Sequence, residues 1–283
     1  MLKNIPAALL LVAVFSSQAH SFDISVSPEM SRGGEGMLVR ITNTTYPNFA
    51  IILNGKKYQS YERNSNSREA FIPMGIETCG ALPLVVKRKL LFITLEEKFR
   101  YVGCVARIIR TSKLNSKDET MRDTQRTVDK QQVLVISALN VKSKNKLWNG
   151  PFILPVKSRS TPNFAQKREG KTYSYFHKGI DLGGKSGTPV RAANDGVVAF
   201  TGECFNVYGN LVILDHGQGV TSCYFHMKKV LKKTGDKVSK NDLIGLLGST
   251  GWSTGPHLHF GVYLQGEAVD PLWWIKFSGN AFE

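Results

Sequence analysis

Five of the six histidines in this 283-residue chain, His177, His216, His226, His257 and His259, fall within 83 residues. His257 and His259 are two apart, so in a strand both imidazoles enter the same side of the sheet. His177 and Asp181 are four apart and share a face in a strand or a helix, but Gly179, Gly183 and Gly184 weigh against helix. Imidazoles and a carboxylate from these two motifs make a ligand set suited to catalytic zinc, with a fourth position left for water. Either motif alone is unspecific; their joint occurrence, with His226 as a further imidazole, is not. The sequence contains no His-Glu-x-x-His, so the glutamate base of helical zinc proteases is missing and the spare histidines are the candidates for proton transfer.

Short apolar runs separated by turn residues must position these groups. Gly196–Phe200, Leu211–Leu214, Val220–Phe225, Leu243–Leu247 and Leu258–Leu264 alternate with turns at Asp195-Gly196, His216-Gly217 and Gly235-Asp236. Without a long helical period, residues 148–283 read as an antiparallel β domain. His216, after a strand, reads as a turn residue outside the chemistry. Residues 20–110 carry another set of runs, Met37–Ile41, Ala50–Leu53 before Asn54-Gly55, Leu84–Val86 and Leu90–Ile93, and read as a small β-sandwich-like domain. That domain has no acidic cluster and no histidine beyond His20, which suits a docking or spacer role. Between them lies a basic connector, 111–147. Over 107–146 there are ten Lys or Arg against four Asp or Glu, as expected of a solvated exposed helix or loop.

The N-terminus bears on the compartment. Lys3 precedes an eleven-residue apolar run, Ile5–Phe15, followed by small residues at Ser17 and Ala19, the pattern of a signal peptide cut after Ala19. Eleven residues rise only about 16 Å as helix, short of a hydrocarbon core of roughly 30 Å. The expectation is an exported protein, periplasmic or else secreted or held at the cell surface, with no stable membrane insertion after cleavage. Four cysteines in an oxidising compartment favour two disulfides, of which Cys79–Cys104 and Cys204–Cys223 are the simplest pairing. The chain has 37 Lys plus Arg against 22 Asp plus Glu, a formal charge of +15. Export removes nucleic acid as the partner of that charge and leaves the anionic cell wall.

From about Trp148 to Trp274 the chain resembles the lysostaphin-type (LytM-like) zinc metalloendopeptidases, which cleave stem peptides or cross-bridges of bacterial peptidoglycan. The motifs carrying the resemblance are His177-Lys178-Gly179-Ile180-Asp181-Leu182, Gly187-Thr188-Pro189-Val190-Arg191-Ala192, Asp195-Gly196-Val197-Val198, Asp215-His216-Gly217, Tyr224-Phe225-His226-Met227, Gly235-Asp236-Lys237-Val238, the run Ser249–Phe260 with Gly255-Pro256-His257-Leu258-His259, and Val269-Asp270-Pro271. The resemblance implies a β-sheet peptidase domain with a narrow groove and one zinc ion bound by His177, Asp181 and His259. It implies His226 and His257 as catalytic histidines and peptidoglycan as substrate. Asn206 and Tyr208, in a Gly-rich loop, and Tyr173 and Tyr175, just before His177, are candidate substrate contacts. One departure is Phe164-Ala165, where the family often has Phe-Gly for a tight backbone approach.

Two other classes compete. A silent member would bind the wall or activate another wall hydrolase, but such members typically lose zinc ligands, and this chain keeps them. A lipoyl- or biotinyl-type carrier would share the Gly-x-x-Val hairpins, yet it needs no histidine cluster and works inside the cell.

Overall fold

The computed structural model describes residues 21–114, 130–158, 160–161, 163–171 and 173–280. The expected signal peptide and the middle of the connector lie outside the described residues. The fold is mainly β. The N-terminal part is two facing sheets. One has four antiparallel strands in the order Asp23–Ser27, Gly36–Thr42, Ser67–Pro73, Tyr61–Asn64; the other has five, in the order Met30–Arg32, Ile93–Val105, Gly80–Leu90, Phe49–Leu53, Lys56–Tyr58. Alternation explains the pairing: in Gly80–Leu90, Leu82, Leu84 and Val86 turn inward while the residues between are half-buried. They meet Met37, Val39, Ile41, Ala70 and Ile72 of the opposite sheet in one apolar cluster, the interior of a β-sandwich.

The C-terminal part is built on a ten-stranded sheet whose pairings are antiparallel. Its middle runs Ile180–Gly183, His257–Leu264, Val220–Val230, Gly209–Gly217, Gly196–Phe205. The central strand Val220–Val230 is buried along most of its length because both faces are covered. Tyr224 and Met227 join the main core with Phe260, Val262 and Trp274, whereas Cys223 and Phe225 pack on the other face with Tyr263.

That second face is covered by α1, Lys130–Leu139, through Val135, Ala138 and Leu139. Here the connector differs from the solvated segment expected: its apolar residues at helical spacing seal the sheet, while Thr111–Lys113 pairs in parallel with Lys167–Glu169. A second helix, α2, Pro271–Asn280, closes the chain.

The two parts share a core. Leu38 and Phe71 of the sandwich belong to the C-terminal cluster, with Phe71 5.5 Å from Trp274 and 5.9 Å from Trp148 between ring centroids. Gln265 adds polar ties: its Nε2 donates to the carbonyls of Gln59 and Phe71, and its Oε1 accepts from the Gln59 amide.

All four cysteines stand as free thiols, and for Cys204–Cys223 the sheet register corrects the expected pairing. Cys223 is opposite Ile213, and Ile213 opposite Phe200, four residues before Cys204. Cys204 is thus two strands across, about 9.5 Å, and about 13 Å along, far beyond the ~7 Å limit for a bridge. Cys104 pairs in register with Gly80, beside Cys79, and its thiol points to the Thr78 carbonyl at 3.1 Å.

Candidate metal centre and groove

Antiparallel register places Asp181 directly opposite His259, and Gly183 opposite His257. His177 stands just beyond strand Ser174–Phe176 and is brought back over Asp181 by the bend at Gly179. Gly179 is needed for close approach: a Cβ there would lie 2.5 Å from the Phe260 carbonyl oxygen and 2.7 Å from His259 Nε2. Three ligand atoms converge. His177 Nε2 is 2.9 Å from His259 Nδ1 and 3.1 Å from Asp181 Oδ1, and His259 Nδ1 is 3.2 Å from the same oxygen. Ligands at ~2.0–2.1 Å from a tetrahedral zinc stand roughly 3.3 Å apart, close to this triangle.

The chemistry of the donors also calls for a cation. His177 Nδ1 lies 3.0 Å from the Asn163 carbonyl, which only accepts, so Nδ1 carries the proton and Nε2 presents a lone pair. That lone pair, a second ring nitrogen and a carboxylate oxygen require positive charge between them. Burial by itself pushes the Asp181 carboxyl up, but the His177 and His259 imidazoles packed against it outweigh burial and hold the group well below the usual carboxylate range. Asp181 Oδ2 accepts from Asn163 Nδ2 at 2.9 Å and from Arg168 Nη2 at 3.0 Å, which fixes which oxygen faces the histidines.

Two more imidazoles border this triangle. His226 has φ +64°, and its Nδ1 donates to the Thr250 carbonyl at 2.9 Å, leaving Nε2 for the groove. Burial, with His259 and His257 nearby, pushes its pKa down to about 3, so it is neutral at neutral pH. His257 Nδ1 donates to the Gly255 carbonyl at 2.8 Å, and its Nε2 is 3.8 Å from Asp181 Oδ1. The rings of His226 and His257 are 4.9 Å apart. All five residues line a cavity of about 600 Å³, walled by Tyr175, Tyr208, Phe225 and Trp252 and bounded by α1.

Of the other sequence candidates, Tyr175 and Tyr208 stand on this wall. Tyr173 lies behind it, stacked on Tyr175 at 6.4 Å. Asn206 is exposed and outside the lining; its amide donates to Gln131 of α1. His216 is fully buried, with Nδ1 2.7 Å from the Asp195 carbonyl and Nε2 2.8 Å from Ser222 Oγ, and burial pushes it down to about 4. Ala165 adopts φ +62°, the left-handed conformation glycine takes freely, so the approach at this position is made with alanine. Asn163 and Arg168 carried no signal in the sequence, because they act on Asp181 from a separate loop and a separate sheet.

Residues 175–271 match the sequence model of Peptidase family M23. Over 97 residues the chain is 44% identical to a DD-carboxypeptidase/endopeptidase Mpg of Neisseria meningitidis, covering 34% of this chain and 22% of that protein. Over 96 residues it is 42% identical to the peptidoglycan DD-endopeptidase ShyA of Vibrio cholerae, again 34% and 22%. The chain therefore spans about a quarter or less of the length of these curated relatives. A crystal structure of a putative peptidase M23 from Pseudomonas aeruginosa superposes with TM-score 0.60 at 22% identity, covering 86% of this chain and 93% of that one, which extends the shared fold to the N-terminal sandwich.

Proposed function

We propose that this chain, which carries a peptidase family M23 domain at residues 175–271, is a zinc metalloendopeptidase that hydrolyses peptide bonds in peptidoglycan stem peptides or cross-links. The observation that carries the reading is the convergence of His177 Nε2, His259 Nδ1 and Asp181 Oδ1 within 3.2 Å of one another at the floor of an aromatic-walled groove. The three residues would hold one zinc ion, which supplies Lewis acidity toward a carbonyl and acidifies water. Asn163 and Arg168 keep the Asp181 carboxylate oriented. His226 and His257, each with its Nδ1 proton tied to a main-chain carbonyl, offer Nε2 lone pairs on the same side. One accepts the proton of the attacking water, and that same proton is delivered to the leaving amine, directly or by way of the other imidazole, so both histidines end the cycle neutral. Tyr175, Tyr208 and Trp252 confine an extended peptide and narrow the access of bulk water. The setting we assign is the periplasm, where the excess of basic residues gives general adhesion to an anionic wall.

The test is digestion of cross-linked peptidoglycan with and without a chelator, followed by separation of the released fragments. The expected result is fragment release that stops with chelator and returns with zinc, and that His226→Ala or His257→Ala abolishes. Metal-replete protein that releases nothing would overturn the reading and leave a silent wall-binding domain.

A further inference from the structure

The hairpin formed by Gly80–Leu90 and Ile93–Val105 ends in four consecutive apolar residues that no other described residue covers. Leu90 is 51% exposed, Leu91 80%, Phe92 96% and Ile93 65%. The tip projects beyond its sheet: the neighbouring strand Phe49–Leu53 begins pairing at Arg88, and Met30–Arg32 pairs only from Gly103 onward. Leu90 is opposite Ile93, so Leu91 and Phe92 are the two turn residues, and Leu91 has φ +53°. A positive φ at the first central position is where a two-residue hairpin ordinarily carries glycine. A bulky side chain there is strained as well as exposed. Both costs fall on one solvent-facing spot.

The tip adjoins a basic cleft. Lys89 and Leu91 belong to the lining of a cavity of about 1380 Å³ between the sandwich and residues 142–146. The lining holds seven Lys or Arg, among them Lys57, Arg63, Lys142 and Lys144, against Glu62 and Glu69. Glu69 faces Arg40 and Arg63 at 3.9 Å each, and burial pushes its carboxyl up. Tyr61 Oη and Gln218 Oε1 are buried in this lining without a hydrogen bond to another described residue.

We propose that this end of the sandwich is a docking face for an anionic phospholipid bilayer, with Leu91 and Phe92 entering the acyl boundary and the Lys-rich cleft beside them taking the phosphate headgroup. A convex apolar tip with a cationic cleft at its side matches an interface whose outer layer is anionic and whose next layer is hydrocarbon. A hydrated wall polymer would answer the cations but leave Leu91 and Phe92 in water. The contact is interfacial, since among the described residues no helix is long and apolar enough to cross a membrane.

The test is flotation of the full chain with vesicles of phosphatidylglycerol and phosphatidylethanolamine, beside vesicles of phosphatidylcholine alone. The apolar N-terminal run is common to every variant, so differences between variants report the hairpin. Wild type is expected to float with the anionic vesicles and to lose binding in high salt. The double variant Leu91→Gly with Phe92→Asn restores a favoured turn, so it should unfold at the same temperature or higher, yet partition at least about tenfold less. Lys142→Glu with Lys144→Glu should remove the preference for anionic lipid. Equal flotation of the turn variant and wild type would overturn the proposal, as would equal binding to both vesicle types. Tip-dependent binding to isolated cell wall without flotation, or a tip-dependent dimer without flotation, would overturn it in favour of those occupants.

Discussion

The main-chain carbonyl of Asn163 accepts the Nδ1 proton of His177 at 3.0 Å. Its side chain meanwhile holds the Asp181 carboxylate through Nδ2 and accepts from the Asp181 amide through Oδ1. One loop residue therefore sets the tautomer of one proposed ligand and the orientation of another. Asn163→Ala keeps the carbonyl and removes the amide contacts, so the effect is on Asp181 alone. Metal affinity should fall about 10- to 100-fold, measured by competition with a chromophoric chelator.

Gly179→Ala tests the close approach at the bend. The added methyl meets a main-chain oxygen at 2.5 Å and a proposed ligand ring at 2.7 Å, and the main chain cannot yield without shifting strand His257–Leu264. The variant should bind much less than one metal ion per chain by elemental analysis and lose roughly 2 kcal/mol or more in denaturant unfolding. Full metal occupancy would show that the bend tolerates a side chain.

Gln265→Ala removes three hydrogen bonds that join the C-terminal sheet to Gln59 and Phe71 of the sandwich. It removes the side-chain partner of the Gln59 amide and carbonyl and one bond to the Phe71 carbonyl, at about 1–3 kcal/mol for each group that water does not reach. Thermal unfolding should move down by several degrees while metal binding stays unchanged, because Gln265 lies at the opposite end of strand His257–Leu264 from His257. A melting curve that splits into two steps would show how far this junction couples the two parts.

Stability should depend on pH through His216. Its folded pKa of about 4 is below the value of about 6.5 expected when unfolded, so both states are neutral above that value. As pH falls from 6.5 to 4 the unfolded chain takes a proton that the buried ring resists, and stability is lost, by roughly 3 kcal/mol in all. Below pH 4 this loss levels off. Urea unfolding across the window should show the slope in wild type and a flatter profile in His216→Gln.

Much of the site was legible without coordinates because its spacing is local. A two-residue period puts His257 and His259 on one side of any strand, and the glycines around Asp181 weighed against a helix. The β character of both parts followed from alternating apolar runs. The connector was less legible: its charge described the solvent side, whereas Val135, Ala138 and Leu139 on its other side seal the sheet. The Cys204–Cys223 pairing failed for a related reason, since closeness in sequence says nothing about how many strands lie between the two residues.

What the sequence by itself determined, then, is the inventory of groups and which of them share a face, for these follow from backbone periodicity within one segment. Tertiary structure decided everything that depends on register and on loops from elsewhere. Antiparallel pairing set Asp181 opposite His259 rather than one residue away, where its side chain would emerge on the other face. A left-handed backbone at His226, a carbonyl at Thr250 and a loop at Asn163 decided which nitrogens carry protons and which offer lone pairs. Those contacts span 24 residues for His226 and 14 for His177. No local periodicity encodes them, because they exist only once the strands have packed.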